Sequence, residues 1–229
     1  MSQEPVIGKL PVVLVHGYGV SSRYMVPIAR RLAAERTVYA PDLPGHGRSE
    51  DPGRTLTVPE LAGVLYKWMD AAGLERAILL GNSMGCQIAV ELAVRHPERI
   101  DRLILTGPTV DPQARTFWRQ LPRFIRTAFA ERPSLLFWVA WDYLRAGPSR
   151  IRREMDVAFA DRIEDKLWRI SMPSLVLRGE RDAIVPQRWA EEVVRCLGTV
   201  DLQVIPGAGH ALNYSAADEL MRRIRPFLP

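Results

Sequence analysis

Cysteine is nearly absent from this sequence. Its 229 residues hold two, Cys86 and Cys196, too few for a disulfide framework. Both fall in predicted helices, and buried free thiols in a reducing, cytoplasmic setting are expected. No apolar run reaches roughly 18 residues, so no membrane span is expected. Met1 to Pro5 show no basic segment followed by an apolar stretch, so no secretory signal is expected. There is no internal repeat and no low-complexity tract. Charge of one sign is also modest. The formal net charge is +5, and the arginines are spread along the chain rather than gathered into a run. A solvated surface, not a nucleic-acid interface, is the expectation.

What the sequence does have is alternation. Short β-branched and aliphatic runs at 11–15, 37–40, 77–80, 102–105, 174–177 and 201–205 are separated by stretches with helical apolar spacing. The spacing predicts helices over 23–35, 57–72, 84–95, 187–197 and about 215–225. Thr57 followed by Glu60 is a capping box, and Gly73 is a C-terminal cap. Runs too apolar for one-sided exposure imply a parallel sheet covered on both faces, an α/β architecture of one core domain. Ligands of such sheets bind beyond the carboxyl ends of the strands. The exception is residues 111–170, which contain no strand. Prolines at 112, 122, 133 and 148 divide this insert into short helices. It reads as a small helical cap over a core formed by 1–110 and 171–229. Its aromatics, among them Phe117, Trp118, Phe137, Trp138 and Trp141, are candidates to face a substrate cavity.

Ser83 is the residue on which the chemistry turns. It lies in Gly81-Asn82-Ser83-Met84-Gly85, between a predicted strand and a predicted helix. Glycines on either side allow a sharp turn and close approach of helix to strand. The serine hydroxyl is then lifted clear of the sheet at the positive end of a helix. A serine hydroxyl needs a base, and the base needs an orienting acid. Of four histidines, His210 follows the last strand on the glycine-rich loop Pro206-Gly207-Ala208-Gly209-His210 and is the candidate base. Asp182, after the strand at 174–177, is the candidate acid, with Glu180 and Asp111 as rivals. The developing oxyanion needs preorganised donors. The backbone amides of Met84 and Tyr18 are the candidates, Tyr18 lying in His16-Gly17-Tyr18-Gly19. His16 is expected to brace that loop by hydrogen bonds rather than to take part in chemistry.

Four segments, His16-Gly17-Tyr18-Gly19, Asp42-Leu43-Pro44-Gly45-His46-Gly47-Arg48-Ser49, Gly81-Asn82-Ser83-Met84-Gly85 and Gly207-Ala208-Gly209-His210, occur in this order over nearly the whole chain. Together they resemble the α/β-hydrolase fold superfamily, and small carboxylesterases within it. The resemblance implies a Ser83–His210–Asp182 triad, a two-amide oxyanion hole at Tyr18 and Met84, a cap, and neither cofactor nor metal. The elbow also resembles that of hydrolases cutting carbon–carbon bonds, although Ala211 and Leu212 after His210 depart from their pattern. The expected substrate is a small-molecule ester with an apolar acyl or aryl group. C–C bonds, lactones and thioesters are alternatives for the same triad, and a non-catalytic ligand receptor is a distant one. A monomer or homodimer is expected.

Overall fold

The apolar runs pair with one another because neither of their faces favours contact with water. In chain order the elements are β1 (Val12–Val15), α1 (Val26–Leu32), β2 (Val38–Tyr39), α2 (Val58–Ala71), β3 (Ala77–Asn82), α3 (Met84–Arg95), β4 (Ile100–Thr106), α4 (Phe117–Ala128), α5 (Pro133–Ala146), α6 (Pro148–Ala160), α7 (Glu164–Leu167), β5 (Ser174–Gly179), α8 (Gln187–Leu197), β6 (Leu202–Ile205), α9 (Leu212–Ser215) and α10 (Ala217–Ile224). The computed structural model describes residues 8–198 and 202–229. The strands form one parallel sheet in the order β2-β1-β3-β4-β5-β6.

Alternation along each strand divides the core in two. Val13, Val15, Leu79, Leu103, Leu105 and Val176 pack under α2, α3 and α8, against Leu65, Ile88 and Trp189. Val12, Leu14, Ile78, Leu80, Ile104 and Leu177 point the other way and pack under α1 and α10, against Ile28, Leu32, Leu220 and Ile224. Both faces are therefore covered, as the continuous apolar runs imply.

Where sequence and structure differ, backbone chemistry explains most of it. The helix predicted over 23–35 is a 3₁₀ turn over Ser22–Met25 followed by α1. Pro27 suits the first turn of a helix and not its interior, so the α-helix begins beside it. The strand predicted at 37–40 shrinks to Val38–Tyr39, an edge strand paired only to β1, with Pro41 just beyond. The closing helix breaks at Ala216, whose φ of −129° and ψ of 32° are not helical. The start of the last predicted strand, Asp201, lies outside the described residues. The capping box forms as expected, with Thr57 N–H donating to Glu60 Oε2 at 2.8 Å and Glu60 N–H to Thr57 Oγ1 at 3.4 Å.

The insert between β4 and β5 holds α4 to α7. Pro133 and Pro148 open α5 and α6, but Pro122 sits inside α4 instead of breaking it. Pro122 and Trp118, one turn before it, are both exposed, and there the missing backbone bond costs least. No helix among the described residues is long and apolar enough to cross a membrane.

Candidate active site

The backbone turns sharply at Ser83, between β3 and α3. Its φ of 58° and ψ of −125° make it the one non-glycine with positive φ among the described residues. Such a conformation costs on the order of 1–3 kcal/mol and needs its surroundings to hold it. The flanking glycines serve that purpose. A Cβ at Gly81 would stand 2.6 Å from the Gly85 carbonyl oxygen, and one at Gly85 would stand 2.1 Å from the Val15 carbonyl oxygen. Helix α3 can therefore lie directly on β1 and β3, with Ser83 at the tip between them.

His210 arrives from the loop after β6. That loop lies against the end of β5, where a Cβ at Gly179 would be 2.0 Å from the Gly209 carbonyl oxygen. Asp182, 2% exposed, stands behind the ring. Its Oδ2 is 2.7 Å from His210 Nδ1, while Oδ1 accepts from Ile184 N–H at 2.9 Å and Val185 N–H at 3.0 Å. Facing a carboxylate, Nδ1 carries the proton, and Nε2 keeps the basic lone pair. Burial lowers the His210 pKa, but the charge and hydrogen bond of Asp182, joined by the charge of Glu131, outweigh it and leave the value raised. Nε2 is buried without a hydrogen-bond partner, so it is not bonded to the Ser83 hydroxyl in this structure. Both residues line the same cavity.

The rival acids are occupied elsewhere. Asp111 accepts from Arg123 Nη1 at 2.7 Å and Arg188 Nη1 at 3.0 Å. Glu180 accepts from Gly207 N–H at 2.7 Å. His16 braces its loop as expected. Its Nε2 accepts from Leu43 N–H at 2.9 Å, and Nδ1 sits 2.8 Å from the Gly17 carbonyl. Burial, then His46, hold its pKa down at about 3, so it stays neutral.

The amides around Tyr18 are taken one by one. Gly17 N–H donates to the Tyr24 hydroxyl, Gly19 N–H to Glu154 Oε2 and Ser21 N–H to Asp142 Oδ2, each at 2.9 Å. Tyr18 N–H and Met84 N–H have no such partner among the described residues, as an oxyanion pair requires.

Sequence comparison places this chain in a known family. The alpha/beta hydrolase family profile matches residues 12–223. The chain belongs to the alpha/beta hydrolase family. A pimeloyl-[acyl-carrier protein] methyl ester esterase from Pectobacterium carotovorum subsp. carotovorum is 27% identical over 253 residues, covering 96% of this chain and 94% of that one. Abhydrolase domain-containing protein abhd-5.2 of Caenorhabditis elegans is 30% identical over 86% of the chain. The chain spans 44% of the length of that worm protein, and 64% of an acetoin-cleaving-system acetyltransferase component from Pseudomonas putida. A thermophilic esterase structure from Thermogutta terrifontis superposes with a TM-score of 0.71 at 26% identity, over 95% of this chain and 89% of that one.

The cavity of this alpha/beta hydrolase has a volume of about 420 Å³ and is mainly apolar, within the range of small-molecule sites. Its lining corrects the aromatic expectations. Phe117 lines it. Trp118, Phe137 and Trp141 are 78%, 59% and 45% exposed and face outward, and Trp138 packs under the Arg23 guanidinium, 4.2 Å from the ring centre. Helical geometry is the reason. On α5, Leu135, Val139 and Tyr143 share the inner face and therefore put 137 and 141 on the other side. On α4, Phe117, Leu121 and Phe124 face in, while Trp118 and Ile125 face out. Both faces are apolar, so periodicity alone could not choose between them.

Sequence reasoning also missed the insert's carboxylates, Glu131, Asp142 and Glu154. Glu154 is held at about 2: burial opposes its charge, but His46 and Arg150 outweigh burial. No group of three or more His, Cys, Asp or Glu able to hold a metal occurs among the described residues.

Proposed function

We propose that this chain is a serine hydrolase of carboxylic esters with apolar acyl or aryl groups. One observation carries the reading. A buried imidazole is fixed by its Nδ1 on a carboxylate at 2.7 Å, keeps an unpartnered Nε2, and shares an apolar cavity with a strained serine. Ser83 Oγ attacks the ester carbonyl as Nε2 of His210 takes its proton. The amides of Tyr18 and Met84 receive the oxyanion. The imidazolium, stabilised by Asp182, returns the proton to the leaving alkoxide, and the alcohol departs. Water, deprotonated by the same nitrogen, then releases the acid and restores Ser83. Residues 111–170 act as the cap that shapes the acyl site. The pimeloyl methyl ester esterase relative supports ester cleavage by its name, and the unpaired Cys86 and Cys196 agree with a cytoplasmic setting.

The test is turnover of p-nitrophenyl esters of graded chain length, before and after a serine-directed phosphonate. Activity that is lost with the phosphonate and in Ser83→Ala is expected. Undiminished turnover in Ser83→Ala refutes the nucleophile. A matched panel of lactones, thioesters and ring-cleavage dienones fixes the bond cleaved: a kcat/KM for any of these above that for the esters replaces the ester reading.

A further inference from the structure

The cavity beside Ser83 contains one carboxylate and no cation. No lysine or arginine lines it, and its carboxylate is Glu131. This residue comes from the turn between α4 and α5. It reaches across to the histidine loop, where Oε1 accepts from Ala211 N–H at 2.8 Å and Oε2 accepts from the Ser215 hydroxyl. The fit against the loop is close: a Cβ on Gly209 would stand 2.4 Å from Glu131 Oε1. Glu131 thus touches residues on both sides of His210 from a separate part of the chain.

We propose that Glu131 is a positioning and selectivity residue, which holds the histidine loop against the insert and restricts the cavity to uncharged acyl groups. The inference rests on the ester-hydrolase reading above. An acyl chain ending in a carboxylate would have to shed its water in an apolar cavity, find no cation to pair with, and lie beside a fixed negative charge. Each of these disfavours it. An uncharged chain meets mainly aliphatic and aromatic side chains, such as Leu135, Val139, Ile151 and Phe124, and the phenols of Tyr18, Tyr24 and Tyr143. Burial pushes all three phenols up, Tyr143 to about 12, so they stay neutral and add no charge. Asp182, the other carboxylate near His210, is behind the ring and outside the cavity lining.

The same placement acts on the base. Asp182 from the loop after β5 and Glu131 from the α4–α5 turn act on His210, and Ser83 and Tyr24 line the same cavity. Of these, Asp182 and Glu131 are the carboxylates, and both favour the imidazolium. Removing the Glu131 charge therefore makes the imidazole less basic.

The decisive comparison uses p-nitrophenyl hexanoate and p-nitrophenyl hydrogen glutarate, which are similar in length and differ in end charge, with the full chain and Glu131→Gln. The wild type is expected to favour the hexanoate by about 100-fold in kcat/KM. Glu131→Gln keeps an oxygen for Ala211 N–H and is expected to narrow that ratio by about tenfold. The His210 ring titration, followed by NMR and assigned with His210→Asn, is expected to move to lower pH in Glu131→Gln. A purely mechanical anchor would move neither. A wild-type ratio near one, or a ratio and titration both unmoved in Glu131→Gln, overturns the proposal. A wild type that cleaves no ester sinks the ester reading instead, and the NMR titration then decides the role of Glu131.

Discussion

Asp182 Oδ2 lies 2.7 Å from His210 Nδ1, whereas Asp111, at another strand end, is bound to Arg123 and Arg188. Replacement at the two positions should separate cleanly. Asp182→Asn removes the charge behind the imidazole and favours the wrong tautomer, so kcat for a p-nitrophenyl ester should fall by roughly 10⁴-fold. Asp111→Asn should leave kcat within about tenfold while lowering the unfolding midpoint, because it leaves two guanidiniums without their shared carboxylate. A large kcat loss at 111 with little at 182 would reverse the assignment.

Acid should destabilise the fold through His16. The unfolded chain takes up a proton near the ordinary histidine value of 6.5, but the buried ring resists until about 3. Between these limits the unfolded state binds more protons, so stability falls as pH falls, by about 1.4 kcal/mol per unit from this residue. Glu154, held at about 2, adds loss of the same sign below the ordinary carboxylate range. Urea midpoints between pH 7 and 5 should drop less steeply in His16→Asn than in the wild type. Equal slopes would mean that His16 is protonated in the folded state.

Two glycines should respond in opposite directions to alanine. At Gly85 the new methyl would meet the Val15 carbonyl oxygen at 2.1 Å, and a loss of about 3 kcal/mol is expected. Gly63 lies within α2 with nothing within 4 Å of a built Cβ. There alanine removes the entropy penalty of a helical glycine and should stabilise by about 0.5–1 kcal/mol. Thermal unfolding of both variants checks the pair.

The inner and outer faces of α5 should differ in their effect on chain length. Val139 lines the cavity, and Val139→Trp should shift the preferred p-nitrophenyl ester to a shorter acyl chain. Trp141 is 45% exposed, and Trp141→Ala should leave the preference where it is. A shift caused by Trp141→Ala alone would mean that the acyl chain lies outside the cavity described.

The sheet was legible because its inner strands are buried on both sides. Residues 77–80 carry no polar position, and the same run appears in β3 with every residue buried. Ser83 and His210 were legible because glycines marked where backbone had to approach backbone. The inward face of the insert was not legible. Phe117 and Trp118 are adjacent and equally apolar, and only the location of the sheet decides which turns inward. Glu131, Asp142 and Glu154 were missed for a related reason: a carboxylate in an amphipathic helix or turn reads as solvated until its distant amide partner is known. The break at Ala216 carries no proline or glycine signal.

Asp142 and Glu154 reach from α5 and α6 to the amides of Ser21 and Gly19, in the residues that directly follow Tyr18. Anyone seeking to trim this protein to a minimal scaffold, or to graft a foreign lid onto it, inherits that dependence. Excising residues 111–170 would not yield an open, more permissive catalyst. It would leave the first loop without two of its anchors, so a chimaera must import matching acids along with the new helices.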